Sequence, residues 1–259
     1  MSEIEAGVFA PDHEGALVRP SPNFGPRRDG KRVTTLILHY TGMENGEAAE
    51  ALLASPESEV SAHYVVHEDG RIVQMVPEGE RAWHAGKSFW QGETDINSCS
   101  IGIEIVNQGP HGDFPDFPDA QIEGVTALCL DICARHSIRP ERVLAHSDIA
   151  PSRKIDPGEK FPWERLHRAG IGHWVEPAPI RGGRFLALGD RGQPVEALQS
   201  MLALYGYQVP IDGVFGTETE AAIKGFQRHF RSQKVDGVAD VSTIETLHRL
   251  LSSLPVSVS

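Results

Sequence analysis

Two prolines and two glycines fall within the run Val175-Glu176-Pro177-Ala178-Pro179-Ile180-Arg181-Gly182-Gly183, and no apolar periodicity passes through it. Proline removes a backbone donor and fixes φ, and glycine adds conformational freedom, so neither a helix nor a strand is expected to continue across this stretch. The chain is therefore predicted to fold as two bodies, residues 1–174 and 186–259, joined by a linker over 175–185. At 259 residues it is long enough for both.

The patterns on either side differ. Val33-Thr34-Thr35-Leu36-Ile37-Leu38-His39 is apolar and β-branched, which predicts a buried strand. Residues 47–54 read as a short helix, and 64–67 and 72–76 as a hairpin around Glu68-Asp69-Gly70-Arg71. In residues 101–106 the alternation puts Ile101, Ile103 and Ile105 on one face and Glu104 on the other. Residues 119–136 carry a helical apolar stripe, and 143–146 read as a further strand. The expected fold class is α/β, a mixed central β-sheet flanked by helices. Beyond the linker, Asp212-Gly213-Val214 recurs 24 residues later as Asp236-Gly237-Val238, with Thr219 matching Thr243 and Ile223 matching Leu247. Helices are predicted over about 194–205, with Val195, Leu198, Leu202 and Leu204 apolar, over 217–230 and over 242–251. That makes a small C-terminal three-helix domain, because two copies are too few for a solenoid.

Charge and cysteine usage narrow the function classes. A net charge of -12 argues against non-specific binding to nucleic acid or to anionic membrane surfaces. No apolar run approaches the roughly 20 residues of a membrane helix. The first twenty residues hold Glu3, Glu5, Asp12 and Glu14 and show no basic or apolar leader pattern, so no export signal is expected. Cys99, Cys129 and Cys133 cannot all pair within one chain, which fits a reducing compartment. Cys129 and Cys133, four apart in a predicted helix, read as small core residues.

The chemistry concentrates between Ala145 and Gly158, where His146, Lys154 and Asp156 share one short run. A catalytic zinc takes three protein ligands and leaves a fourth position for water. His39, at the end of its strand, completes a candidate set with His146 and Asp156. Such a set leaves the ion positive and acidifies water from about 15.7 toward about 7. Glu104, a lone carboxylate in an apolar run, is the candidate general base, its pKa raised by desolvation. Lys154 shares a face with Asp156 in an extended segment and is placed to stabilise an oxyanion. Plainer readings stand beside these: a hydrogen-bonded structural histidine, a turn cap at Asp156, a solvated Glu104, a surface Lys154. Spacing alone leaves both open.

The motifs taken together resemble a known family. His39-Tyr40-Thr41, Ser61-Ala62-His63-Tyr64, Arg81-Ala82-Trp83-His84-Ala85-Gly86, Ser100-Ile101-Gly102-Ile103-Glu104, Ala145-His146 and Arg153-Lys154-Ile155-Asp156-Pro157-Gly158 follow the order of the zinc-dependent N-acetylmuramoyl-L-alanine amidases of the AmpD/AmiD type. The resemblance covers about residues 20–168. It implies His39, His146 and Asp156 as zinc ligands, Glu104 and Lys154 as catalytic residues, and cleavage of the amide between the lactyl group of N-acetylmuramic acid and L-alanine. Residues 186–251 resemble a three-helix peptidoglycan-binding module, through Leu188-Gly189-Asp190-Arg191-Gly192, Val195 to Leu202 and Asp212-Gly213-Val214-Phe215-Gly216-Thr217-Glu218-Thr219.

Within that layout His63, close to the metal motif, reads as structural or as a support behind the metal ligands. His84 is expected to line the substrate cleft beside Trp83, or to form with it a packing pair at a hairpin end, and Arg153 to bind a muropeptide carboxylate or to stand as a surface residue. Tyr40 stands where some recycling enzymes of the family have asparagine, and so bears on substrate preference. The expected partners are peptidoglycan fragments or muropeptides, acted on by a monomer. The leaderless, acidic N-terminus points to the cytoplasm and to anhydro-muropeptides recovered from wall turnover. The C-terminal module points instead to intact wall in the periplasm. The competing function is a zinc-free protein that only recognises wall fragments. Such proteins usually lack one ligand, and here the set is whole.

Overall fold

The computed structural model describes residues 9–255. Part of the N-terminal reading, including Glu3 and Glu5, and the outer ends of both expected domains lie outside the described residues. The elements run in the order β1 (Leu17–Val18), β2 (Phe24–Pro26), β3 (Thr35–Tyr40), α1 (Gly46–Leu53), β4 (Tyr64–Val66), β5 (Ile72–Gln74), β6 (Glu80–Ala82), α2 (Ile96–Cys99), β7 (Ser100–Ile105), α3 (Asp119–His136), β8 (Val143–Ala145), α4 (His146–Ile149), α5 (Trp163–Arg168), α6 (Gln193–Tyr205), α7 (Thr217–Phe230) and α8 (Val241–Ser253).

Six strands form one mixed sheet in the order β1-β5-β4-β7-β3-β8, parallel except where β4 meets β5. β2 and β6 make a separate antiparallel pair. Alternation along the central strands sorts their side chains. Leu36, Leu38, Ile101, Ile103, Ile105, Val143 and Ala145 pack against the stripe Ile122, Val125, Leu128, Cys129 and Ile132 of α3. Ile37 and Leu144 face the other way and join an apolar cluster with Val195, Leu198, Leu202, Phe226 and Leu250 of the C-terminal helices. The sheet is thus covered on both sides, as parallel strands require.

The C-terminal helices are joined by two turns built alike. Gln199 is fully buried. Its Nε2 donates to Asp212 Oδ1 and Val214 O, and its Oε1 accepts from the backbone of Asp212 and Gly213. Gln227, equally buried, does the same for Asp236, Val238 and Gly237. The Asp-Gly-Val repeat is therefore a pair of turns, each clamped by a glutamine from the preceding helix. The glutamines escape the 24-residue offset because one precedes its aspartate by 13 residues and the other by 9.

Three expectations need correcting. Leu204 is 71% exposed. Two residues at about 100° each put it roughly 200° round α6 from the buried Leu202. β3 begins at Thr35 rather than Val33, because Thr34 donates its N–H to Cys99 O before the ladder with β7 starts. His146 does not end a strand. It opens the single turn α4, which the Asp148 carboxylate caps by accepting the Ala145 N–H at 2.8 Å.

The stretch between the sheet and α6 has no regular element through most of its length. It is nonetheless tied down: Ala178 is 1% exposed, donates its N–H to Thr246 Oγ1 and accepts from Ser242 Oγ, both on α8. Among the described residues no helix is long and apolar enough to cross a membrane.

Candidate active site

Strand register assembles the site. β3 and β7 pair in parallel with His39 opposite Glu104, so both side chains leave the same face of the sheet side by side. One strand over, Leu38 pairs with Ala145, which delivers His146 as the next residue. The loop after α4 returns Asp156, whose carbonyl accepts the Ser147 N–H at 3.0 Å. His39 Nδ1, His146 Nδ1 and Asp156 Oδ2 converge, each 2.9–3.0 Å from the other two. All three residues are buried.

The surrounding hydrogen bonds decide where the histidine protons lie. Ser100 Oγ gives its only proton to Ile96 O at 2.6 Å, so it accepts from His84 Nε2 at 3.1 Å. His84 Nδ1 is then bare and accepts from His39 Nε2 at 3.0 Å, leaving His39 Nδ1 with a lone pair. On the other side His146 Nε2 donates to Ala85 O at 3.1 Å, so Nδ1 is the nitrogen that a neutral ring leaves bare. Burial, with His146 adding to it, lowers the His39 pKa to about 4, and burial, with His39 next, holds His84 well below its ordinary value. Both rings are neutral at pH 7. Two bare imidazole nitrogens and a carboxylate oxygen therefore face one another, an arrangement that repels itself unless a cation lies among them. The donor set fits zinc, with each histidine's distal N–H held by a fixed partner.

Glu104 stands beside this cluster. Its Oε2 is buried and has no hydrogen-bond partner among the described residues. Burial raises its pKa well above the ordinary value, Asp156 raises it further, and Lys154 works against both. A carboxyl so placed is a weaker acid than an exposed one and is better suited to exchanging a proton with a substrate.

A cavity of about 360 Å³ opens over the cluster and is lined by Glu104, Lys154, Tyr40, Trp83, His84 and Arg153 beside the three converging residues. The residues singled out from the sequence thus come together, but not all are equally available. His84 has both ring nitrogens engaged, by His39 and Ser100, so it orients His39 and offers a ligand only its ring. Arg153 Nη2 donates to Ala85 O and Lys87 O, which ties down the loop that also receives His146. Tyr40 meets Phe114 edge-on, and burial pushes its pKa up to about 12. His63 is structural: it accepts the Gly102 N–H and donates to Glu80 O. A larger cavity, about 750 Å³, lies beyond Arg153 between the sheet body and the C-terminal helices.

Sequence reasoning missed three supports. Ser100 fixes His84. Asn97 Oδ1 accepts the backbone N–H groups of His84 and Ala85. Gly102 makes room for the ring: a Cβ there would lie 2.4 Å from His84 Cγ. Ser100 and Gly102 stood inside a recognised motif, so the signal was present without the role.

Three lone-pair donors with a buried, unpartnered glutamate oxygen in the same cleft are the equipment of a hydrolase. Comparison with known proteins narrows that class. The family model for N-acetylmuramoyl-L-alanine amidase matches residues 29–159, and the model for the peptidoglycan binding domain matches residues 191–247. N-acetylmuramoyl-L-alanine amidase AmiD of Escherichia coli is 41% identical over 234 residues, spanning 85% of this chain and 83% of AmiD. The structure of E. coli AmiD in complex with the substrate anhydro-N-acetylmuramic acid-L-Ala-D-gamma-Glu-L-Lys superposes with a TM-score of 0.73 at 39% identity, covering 90% of this chain and 92% of AmiD. AmpDh3 of Pseudomonas aeruginosa, in complex with anhydromuramic pentapeptide, gives a TM-score of 0.68 at 31% identity, covering 93% and 97%. The chain belongs to the N-acetylmuramoyl-L-alanine amidase family.

Proposed function

We propose that this protein hydrolyses the amide between the lactyl group of N-acetylmuramic acid, or its 1,6-anhydro form, and L-alanine, in the recycling of cell-wall fragments. The observation that carries this reading is the unpartnered Glu104 Oε2 beside the three converging donor atoms. His39, His146 and Asp156 would hold zinc, which supplies positive charge that polarises the scissile carbonyl and acidifies water. Glu104 takes a proton from the attacking water and returns it to the amine of the departing L-alanine. The Lys154 ammonium stabilises the oxyanion of the tetrahedral intermediate. Arg153 and Tyr40 line the cavity at positions suited to a stem-peptide carboxylate and to the sugar. The complexes named for AmiD and AmpDh3 support anhydro-muropeptides as the substrate class.

The catalytic part is residues 1–174, with 175–185 as linker and 186–259 as the peptidoglycan-binding part, and the protein acts as a monomer. Cys99, Cys129 and Cys133 are free thiols, which supports the cytoplasm rather than the periplasm. The zinc-free recognition reading is disfavoured by the complete donor set.

The test offers intact sacculi and soluble 1,6-anhydro-muropeptides side by side. The expected result is release of stem peptides with a free L-alanine amino terminus, faster from the soluble substrate, abolished by chelation and restored by zinc. Cleavage at another bond, or turnover unaffected by chelation, would overturn the reading.

A further inference from the structure

The turn that carries His146 is too short to hold itself. α4 spans four residues, and a single helical turn is the costly nucleus of a helix rather than a stable piece of one. It is gripped from outside. Asp148, two residues after His146, has a carboxylate with no exposed surface. Its Oδ2 accepts the Ala145 N–H at 2.8 Å and His229 Nδ1–H at 2.7 Å, and its Oδ1 accepts the Tyr207 hydroxyl at 2.6 Å. Tyr207 follows α6 and His229 lies on α7, so both partners that close this carboxylate come from the C-terminal part of the chain.

The partners are themselves immobilised. The His229 ring stacks between Trp163 at 3.7 Å and Phe230 at 3.8 Å, one from each part of the chain. Tyr207 packs edge-on against Trp90 at 5.0 Å. α7 also presses its backbone on the turn: a Cβ at Gly225 would lie 2.6 Å from Ser147 O. Glycine inside a helix costs about 1 kcal/mol relative to alanine, so its presence there is explained by the approach and not by the helix. Ser147 in turn donates its N–H to Asp156 O. The pressed turn therefore spans two of the three converging donors.

We infer that the C-terminal helices are a working part of the metal centre: Tyr207 and His229 are positioning residues that, through the Asp148 carboxylate, hold the His146 turn in the geometry that binds the metal. This rests on the metal-centre reading given under Proposed function. Removing either partner leaves a buried carboxylate under-satisfied, which loosens the turn and not merely the bundle.

The test uses the full-length protein, loaded with zinc or cobalt(II), and the variants Tyr207→Phe, His229→Gln and Leu250→Ala. Leu250 is fully buried in α8 and makes no polar contact with the turn. Zinc release to a chelator should quicken about tenfold in Y207F and H229Q, the magnitude typical of outer-shell losses. The visible band of the cobalt protein should shift, and kcat should fall with KM unchanged. L250A should lower Tm and leave release rate and cobalt band at wild-type values. If Y207F, the milder change, releases zinc at the L250A rate with an unshifted cobalt band, the latch is only structural and the inference fails. If the wild type binds neither metal, the metal-centre reading itself fails and takes the inference with it.

Discussion

The identity of a ligand matters less than the state in which it is held. His39 is useful only as the tautomer with a bare Nδ1, and that state is set two residues away in space, by Ser100 through His84. Ser100→Ala removes the acceptor for His84 Nε2–H and leaves His84 free to adopt the other tautomer. Zinc affinity, measured by chelator competition, should fall about tenfold with little change in Tm. An unchanged affinity would show that His84 does not need Ser100. The residue types at the centre were legible because six motifs in order along the chain carried them, where spacing alone left plainer roles open. Ser100 was not, because serine at the start of a strand is unremarkable until its neighbours in space are known. His84 was legible as a cleft residue, but its engagement by His39 could not be read from spacing.

Register carries the site at the scale of elements. Pairing His39 with Glu104 across β3 and β7 places the proposed base beside the proposed ligand, and a slip of one strand by one residue would put them on opposite faces. The alternation in β7 was readable from its isoleucines. The pairing partner was not, since nothing local specifies which strand lies alongside. Gly102 belongs to the same logic: it pairs with Ile37 and sits under the His84 ring. Gly102→Ala should fold, since Gly102 does not have a positive φ and glycine itself weakens a strand interior. It should displace His84, weaken metal binding and cut turnover by about tenfold or more. Wild-type metal affinity in that variant would count against the role assigned to the glycine. The three C-terminal helices were readable from periodicity, whereas the glutamine clamps of their turns were hidden by unequal spacing.

At the scale of the whole molecule, the helices that follow the proline- and glycine-rich stretch share an apolar cluster with the sheet, so the break in sequence is not a break in packing. That was beyond the sequence, because the residues involved, Ile37, Leu144 and Ile149 against Leu198 and Phe226, read only as core in their own elements. Buried neutral histidines make the metal-free protein sensitive to acid. Burial, with Arg27 next, lowers His63 to about 3, and burial, with His146 next, lowers His39 to about 4. The unfolded chain protonates these groups near pH 6.5, so their contribution is complete above that value and is lost as pH falls toward 4. The Tm of the chelated protein should drop by several degrees between pH 7 and pH 4.5, and a flat or rising Tm over that window would contradict this. The central claim is that Glu104 moves the proton while His39, His146 and Asp156 hold the metal. The direct measurement is metal content and turnover of Glu104→Gln with an anhydro-muropeptide. The account predicts wild-type zinc content with turnover reduced at least a hundredfold, and near-normal turnover in a zinc-loaded E104Q would contradict it.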